Sequence, residues 1–293
     1  MENFKKIDLH MHTTISDGTD EPEEIVQKVR ESGIDLFSVT DHDAIKCSRI
    51  VPEYLTEDGP SFITGVEFSC RDELGKYHIL GYGYDPENEV INRVVDLGHS
   101  FRMEKVKRRL EFLRNEYGIE FPRWELWELL HQENPGKPHI GNLMVKYGYA
   151  ESREEAIKEY IDKYKAPTYY VRPEDAIRGI LEAGGIPVLA HPTYGSGEQI
   201  IVGDEMDERL RRLMGFGIKG VEAFYSGFTA KIRKEMLDFA EKYDLYVTAG
   251  SDYHGNNKLV PIGDNWLDTV DVWPRGLERF LEDVNVINDL RQR

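Results

Sequence analysis

Seven short apolar runs separated by helical patterns constrain this chain more than any other feature. The runs are KKIDLHMH (5–12), IDLFSVTDH (34–42), SFITGVEFSC (61–70), YHILGYGY (77–84), GIPVLAH (185–191), IKGVEAF (218–224) and LYVTAGSDYH (245–254). Their length and composition read as buried or half-buried strands. Several of the intervening helices have readable ends. Pro22 opens PEEIVQKVRES before Gly33, and Pro173 opens PEDAIRGILEA before Gly184 and Gly185, the pairing of an N-terminal proline with a C-terminal glycine. Strands alternating with helices predict an α/β fold with a mostly parallel sheet, closed on itself. RDELGK (71–76) has turn composition, so the third and fourth strands can instead form a hairpin.

The alternation fails between about residues 89 and 170, where helices occur without a convincing strand. Val106, Leu110, Leu113 and Tyr117 share one helical face, and Ile157, Tyr160, Ile161 and Tyr164 share another after a Ser152–Glu155 capping box. This stretch reads as an inserted helical subdomain (89–170), with residues 1–88 and 171–293 forming the main domain. Trp124, Trp127 and Leu130 recur at helical spacing and are expected to pack inside the insert.

Composition narrows the function. The 293 residues carry 37 basic and 54 acidic side chains, a net charge of −17, which opposes general affinity for nucleic acid or anionic lipid. No apolar run approaches the roughly 18 to 20 residues of a membrane span, and the N-terminus turns polar too early for a signal peptide. Cys47 and Cys70 are the only cysteines, so a reducing cytoplasm is the default location and both are expected to be packed apolar positions.

Ligand-type residues recur at strand ends: His10 and His12 after the first, Asp41 and His42 after the second, His191 after the fifth, Asp252 and His254 after the seventh, with Glu67 inside the third. In a β/α barrel the C-terminal strand ends converge on one face. An H-x-H pair in a strand puts two imidazoles on one side, where they can bind one divalent ion or two neighbouring ones. Packing alone does not account for five strands each supplying such a residue.

The segments DLHMHTTISDGT, VTDHD, GVEFS, HILGYGYDP, GKPHIGNLM, EAGGIPVLAHP and VTAGSDYHG together resemble the polymerase and histidinol phosphatase (PHP) superfamily. The resemblance is to its stand-alone phosphoesterase branch with a helical insert, of the nucleoside bisphosphate phosphatase kind, and spans nearly the whole chain. It implies a distorted (β/α)7 barrel holding two or three divalent ions, from among Mn²⁺, Zn²⁺, Fe²⁺ and Mg²⁺. His10, His12, Glu67 and Asp252 would hold one ion, with Glu67 bridging to a second held by His78 and His191. Asp17, His42 and His254 would hold a third, making a trinuclear centre, with Asp43 behind the ligands. Asp17 stands where the family often has histidine, a change that either weakens the third site or favours a harder metal such as Mn²⁺ or Mg²⁺.

The resemblance further implies hydrolysis by a hydroxide bridging two ions, with Glu67, Asp252 and His254 as the catalytic set. Three carboxylates against four to six metal charges leave the filled centre positive, which suits a phosphorylated substrate. In this branch the helical insert is a lid over the phosphate, so Lys137 and His139 in NPGKPHIGN (134–142) are the expected substrate contacts. The leading expectation is a phosphomonoesterase for a small phosphorylated metabolite or nucleotide. A phosphodiesterase for a cyclic phosphate or short oligonucleotide is the alternative within enzymes, and a non-catalytic binding module is the alternative outside them. Oligomeric state is left open by the sequence.

Overall fold

The computed structural model describes residues 4–165, 169–194 and 200–287. The outermost residues of the predicted main domain, 1–3 and 288–293, lie outside them, as do 166–168 of the predicted insert. Seven strands form one sheet in sequence order: β1 (Ile7–Asp8), β2 (Leu36–Val39), β3 (Ser61–Asp72), β4 (Gly75–Tyr82), β5 (Ile186–Leu189), β6 (Gly220–Tyr225) and β7 (Tyr246–Gly250). The sheet is nearly closed into a barrel. Beyond the two residues of β1 the chain stays extended along β7, with Leu9 N donating to Ala249 O at 2.9 Å, Asp252 N to His10 O at 2.8 Å and His12 N to Tyr253 O at 2.8 Å.

The sheet is mixed. β3 and β4 form an antiparallel hairpin, and β4 is also antiparallel to β5, while the other neighbours pair in parallel. The hairpin alternative is therefore the one adopted, and RDELGK supplies its turn through Gly75 at φ 130°, a backbone conformation open to glycine.

Among the described residues ten α-helices accompany the strands: α1 (Pro22–Glu31), α2 (Lys46–Ile50), α3 (Glu89–Tyr117), α4 (Arg123–Leu130), α5 (Lys137–Lys146), α6 (Arg153–Glu155), α7 (Pro173–Glu182), α8 (Gly203–Phe216), α9 (Ala230–Lys242) and α10 (Arg275–Asp283). In α1 the Glu24 side chain reaches back to accept from Glu21 N at 2.8 Å. Glutamates fill the first turn and Lys28 and Arg30 the last, matching the helix dipole. Ile25, Val26 and Val29 form its buried stripe. α3 starts at Asn88, whose Oδ1 accepts from Val90 N at 2.8 Å, and stops at Gly118 with φ 67°, a left-handed C-cap.

Two apolar clusters fill and surround the barrel, and a third lies among the helices that follow β4. This third cluster includes Val106, Leu113, Ile119, Leu129, Ile140, Met144 and Ile161, with Leu110, Ile157 and Tyr160 partly buried against it. Two expectations fail here: Trp124 and Trp127, expected to pack inside the insert, are 53% and 62% exposed. The inward face of α4 carries Glu125, Leu126, Leu129 and Leu130 instead. Buried Glu125 is neutralised there, with Lys146 Nζ at 2.5 Å and the Tyr147 hydroxyl donating at 2.8 Å. That satisfied carboxylate sets the rotation of the helix and turns the tryptophans outward, where Trp127 stacks on His131.

Candidate metal centre

Nine side chains gather at the barrel mouth formed by the C-terminal ends of the parallel strands: His10, His12, Asp17, His42, Glu67, His78, His191, Asp252 and His254. β3 brings Glu67 to the centre. Its Oε2 lies 3.3 Å from His10 Nε2, 3.2 Å from His12 Nε2 and 3.1 Å from His42 Nδ1. Its Oε1 lies 2.8 Å from His78 Nδ1 and 3.0 Å from His191 Nε2. His78 belongs to β4, whose reversed direction puts the start of that strand at the mouth. Asp252 Oδ1 is 3.4 Å from His10 Nε2 and 3.3 Å from His12 Nε2. Asp17 closes the other side, with Oδ1 3.5 Å from His254 Nε2 and Oδ2 3.8 Å from His42 Nε2.

Four overlapping groups have ligand atoms within 4.8 Å of one another and could each hold an ion: His12–Asp17–His42–His254, His10–His12–Glu67, His10–His191–Asp252 and His42–Glu67–His78. Their fit to divalent ions shows in the buried polar atoms that lack a hydrogen-bond partner. His10 Nε2, His12 Nε2, His42 Nδ1, Asp17 Oδ1 and Glu67 Oε2 are all orphaned. Buried polar atoms are ordinarily paired, whereas three imidazole nitrogens around one carboxylate oxygen form the mixed N/O donor set of a metal site. The backbone is strained at the same place, with positive φ at Asp43 (50°), His191 (25°) and Asp252 (58°), a cost that clusters at functional sites.

The electrostatics agree. Burial pushes the Glu67 carboxyl up, but His78, His42 and His10 outweigh it and hold Glu67 well below the usual range. Asp17 is likewise held low against burial by His42, His254 and Arg102, and Asp252 by Lys258, His10 and His254. Burial lowers His12, yet Asp252 and Glu67 raise it to about 9. His42 goes the other way, with burial the largest cause and Arg102 and His12 adding to it, so that its imidazole is held well below the ordinary histidine range.

Beside the cluster lies a cleft of about 250 Å³ lined by Asp17, His42 and His78 on one side and by cations on the other: Lys76, Arg102, Lys105, Arg109 and Lys137, with Tyr170. Arg102 reaches Asp17 Oδ2 at 3.4 Å and Asp43 Oδ2 at 3.6 Å. Asp43 also accepts from Ser69 N at 3.0 Å, so it stands beside the cluster and ties α3 to β3. Lys105 and Arg109 form no ion pair among the described residues although they are only 6% and 7% exposed, and Arg109 Nε is unpartnered. Burial lowers Lys105 to about 7 and also lowers Arg109, Lys76 and Lys137.

Of the two expected substrate contacts, Lys137 lines this cleft, where Asp162 already holds its Nζ at 2.8 Å. His139 does not line it. Its Nδ1 turns back to accept from Gly136 N at 3.0 Å, capping α5, and its ring borders a separate hollow with Glu125, Leu129 and Leu143.

The sequence reading missed Arg102, Lys105 and Arg109, although a signal was present. Ile91, Val94, Gly98, Arg102, Lys105, Arg109 and Leu113 fall on the buried stripe of α3, so three cations occupy positions whose helical period calls for apolar residues. It also missed Glu222, whose Oε1 accepts from His10 Nδ1 at 2.9 Å and whose Oε2 accepts from His191 N at 2.7 Å.

A nearly closed mixed barrel with a His/Asp/Glu cluster at its mouth and cations beside it defines a metal-dependent enzyme acting on anions. The chain belongs to the PHP domain family, which it matches over residues 8–172. A 5'-3' exoribonuclease from Haemophilus influenzae is 28% identical over 281 residues, covering 92% of this chain and 99% of its own length. A 3',5'-nucleoside bisphosphate phosphatase from Chromobacterium violaceum is 26% identical over 258 residues, covering 85% of this chain and 87% of its own length. A solved structure of a protein assigned as a metal-dependent phosphoesterase, from Bifidobacterium adolescentis, matches with a TM-score of 0.79 at 28% identity over 98% of both chains. The protein is a metal-dependent phosphoesterase. Among the described residues no helix is long and apolar enough to cross a membrane.

Proposed function

We propose that the protein is a phosphomonoesterase for a small nucleotide or metabolite that carries a further anionic group. The observation that carries this reading is the cleft beside the cluster, where buried Lys105 and Arg109 form no ion pair among the described residues. Such cations are costly to bury unpaired, and an anionic ligand removes that cost. The name of the Chromobacterium violaceum relative, a bisphosphate phosphatase, supports the same reading.

His10, His12, Glu67 and Asp252 would hold one ion, Glu67, His78 and His191 a second, and Asp17, His42 and His254 a third. When bound, such ions supply Lewis acidity toward phosphoryl oxygens and make water nucleophilic near neutral pH. The protein's own part is orientation. Glu67 spaces the two halves of the cluster, Arg102 bridges Asp17 and Asp43, and Lys105 and Arg109 bind and orient the anion.

Residues 1–88 and 171–293 form the metal-binding barrel in this proposal, and residues 89–170 the lid. Three contacts between the two support the lid: Arg102 with Asp17, Asn134 Nδ2 donating to His42 O, and Arg153 donating to Asn257. Asn257 in turn donates to Asp17 O at 2.8 Å.

The test is turnover with added Mn²⁺ of nucleoside monophosphates, nucleoside bisphosphates, cyclic phosphates and short 5'-phosphorylated oligoribonucleotides, read as inorganic phosphate for the monoesters and as the phosphomonoester product, separated by chromatography, for the cyclic phosphates and oligonucleotides. Preference for a bisphosphate over the matching monophosphate is the expected result. Faster turnover of oligonucleotides or cyclic phosphates would replace the monoesterase reading with the diesterase one, which the name of the Haemophilus influenzae relative supports.

A further inference from the structure

Glu222 is fully buried and, among the described residues, is the one carboxylate outside the nine that meets a ring nitrogen of the cluster. It lies on β6 where pairing with β7 slips between Glu222 and Phe224, a bulge of the kind that re-aims a side chain. Space for it comes from Gly250 at the end of β7. A Cβ there would stand 2.8 Å from Glu222 Oε1 and 2.2 Å from His10 Cβ. The two oxygens divide their work between two elements. Oε1 accepts from His10 Nδ1, so Nε2, which faces Glu67 and Asp252, is the nitrogen turned toward the cluster. Oε2 takes the backbone N–H of His191, the residue held at φ 25°. His10 and His191 belong to one potential ion group with Asp252.

We infer that Glu222 is a positioning residue for the metal centre: it fixes the tautomer of His10 and the strained backbone of His191 together, so that each ring faces the ion it would hold, His10 beside Asp252 and His191 beside Glu67. The inference rests on the reading of His10 and His191 as ligands. A carboxylate behind a ligating histidine sets its ring orientation and raises its basicity, and loss of such a partner typically weakens metal binding about tenfold to a hundredfold. Here one carboxylate serves two histidines from different strands.

The variant is Glu222→Gln, which keeps the shape and a carbonyl for His10 but removes the charge and sets an amide N–H₂ against the His191 N–H. The metal-free wild type and variant are titrated with Mn²⁺ against a chelating indicator, with folded fraction checked by circular dichroism. The expected result is a folded variant whose affinity falls about tenfold to a hundredfold. Wild-type affinity in folded Glu222→Gln overturns the inference while leaving the metal centre standing, whereas absence of Mn²⁺ binding by the wild type overturns both. Should the variant not fold, the Zn²⁺-loaded wild type labelled with ¹⁵N-histidine decides the question by NMR. His10 is expected to show a protonated Nδ1 and a metal-shifted Nε2, and the opposite tautomer overturns the inference.

Discussion

The Lys105 ammonium stands 4.1 Å from the ring centroid of Tyr170, a cation–π contact in the wall of the cleft. It does not offset burial, which brings Lys105 down to about 7 from the ordinary 10.5. Below pH 7 the group is charged in both folded and unfolded chains, and the folded state bears the full cost. As pH rises from 7 toward 10.5 the folded protein sheds a proton that the unfolded chain keeps, so the cost falls away. Lys105→Met is therefore expected to raise the melting temperature of the metal-free enzyme more at pH 6 than at pH 9. The same variant is expected to weaken inhibition by inorganic phosphate. A larger thermal gain at pH 9, measured by scanning calorimetry, contradicts the assignment.

Glu67→Gln is expected to reduce kcat by more than a thousandfold, and Asp17→Asn by less. Glu67 meets five histidines through its two oxygens, so in the proposed centre it would space two ion positions, and a two-metal site depends on that spacing. Asp17 contributes to one group only. Metal content by plasma emission separates the two: Glu67→Gln is expected to lose ions from both halves, Asp17→Asn from one. Equal losses would falsify this division.

Removal of metal by chelation is expected to abolish activity and lower the melting temperature, with both restored by adding Mn²⁺. The ligands come from separate strands and loops, and ions that bind only the folded state stabilise it in proportion to the logarithm of their free concentration. Calorimetry at two Mn²⁺ concentrations checks this, and an unchanged melting temperature after verified metal removal points to an apo site rigid without ions.

Arg109→Leu is expected to raise KM for a bisphosphate substrate tenfold or more with metal content unchanged, the loss typical of a charged contact to phosphate. Lys137→Ala is expected to cost less, because Asp162 already neutralises that ammonium, and His139→Ala less still, because its ring lies outside the cleft. Steady-state kinetics on the three variants give the ranking directly.

How much of this was legible in the sequence follows from where the information sits. Strands announce themselves by apolar runs, and each of the seven expected positions holds one. Ligand-type residues at strand ends stand out because packing does not call for them. Glu222 lies within a strand as a single acid in GVEAFY, and its partners are His10 and His191, 212 and 31 residues away, so nothing local marks it. The tryptophans of α4 misled for a related reason. Helical period states that two residues share a face, but the rotation of that face was decided by Glu125 and its partners Lys146, the last residue of α5, and Tyr147, the residue after it. Asp43 and Lys137 were visible as polar residues beside motifs, whereas the unpaired state of Lys105 and Arg109 depends on which carboxylates the fold leaves out of reach.

The reversed direction of β4 has a mechanical result. Because β4 runs away from the mouth, the chain leaves it at the far end of the barrel and must climb back, which it does along the 29 residues of α3, a rod of about 43 Å. That rod is clamped to the barrel at Gly98, where a Cβ would stand 2.8 Å from Asp43 Oδ1, and one turn further on it points Arg102, then Lys105 and Arg109, over the site. Angular indexing of the cations is thus set by counting residues from a single anchor. Deleting one residue between Gly98 and Arg102 turns the three cations by about 100°, swinging the proposed anion-binding wall out of line while leaving every candidate metal ligand in place.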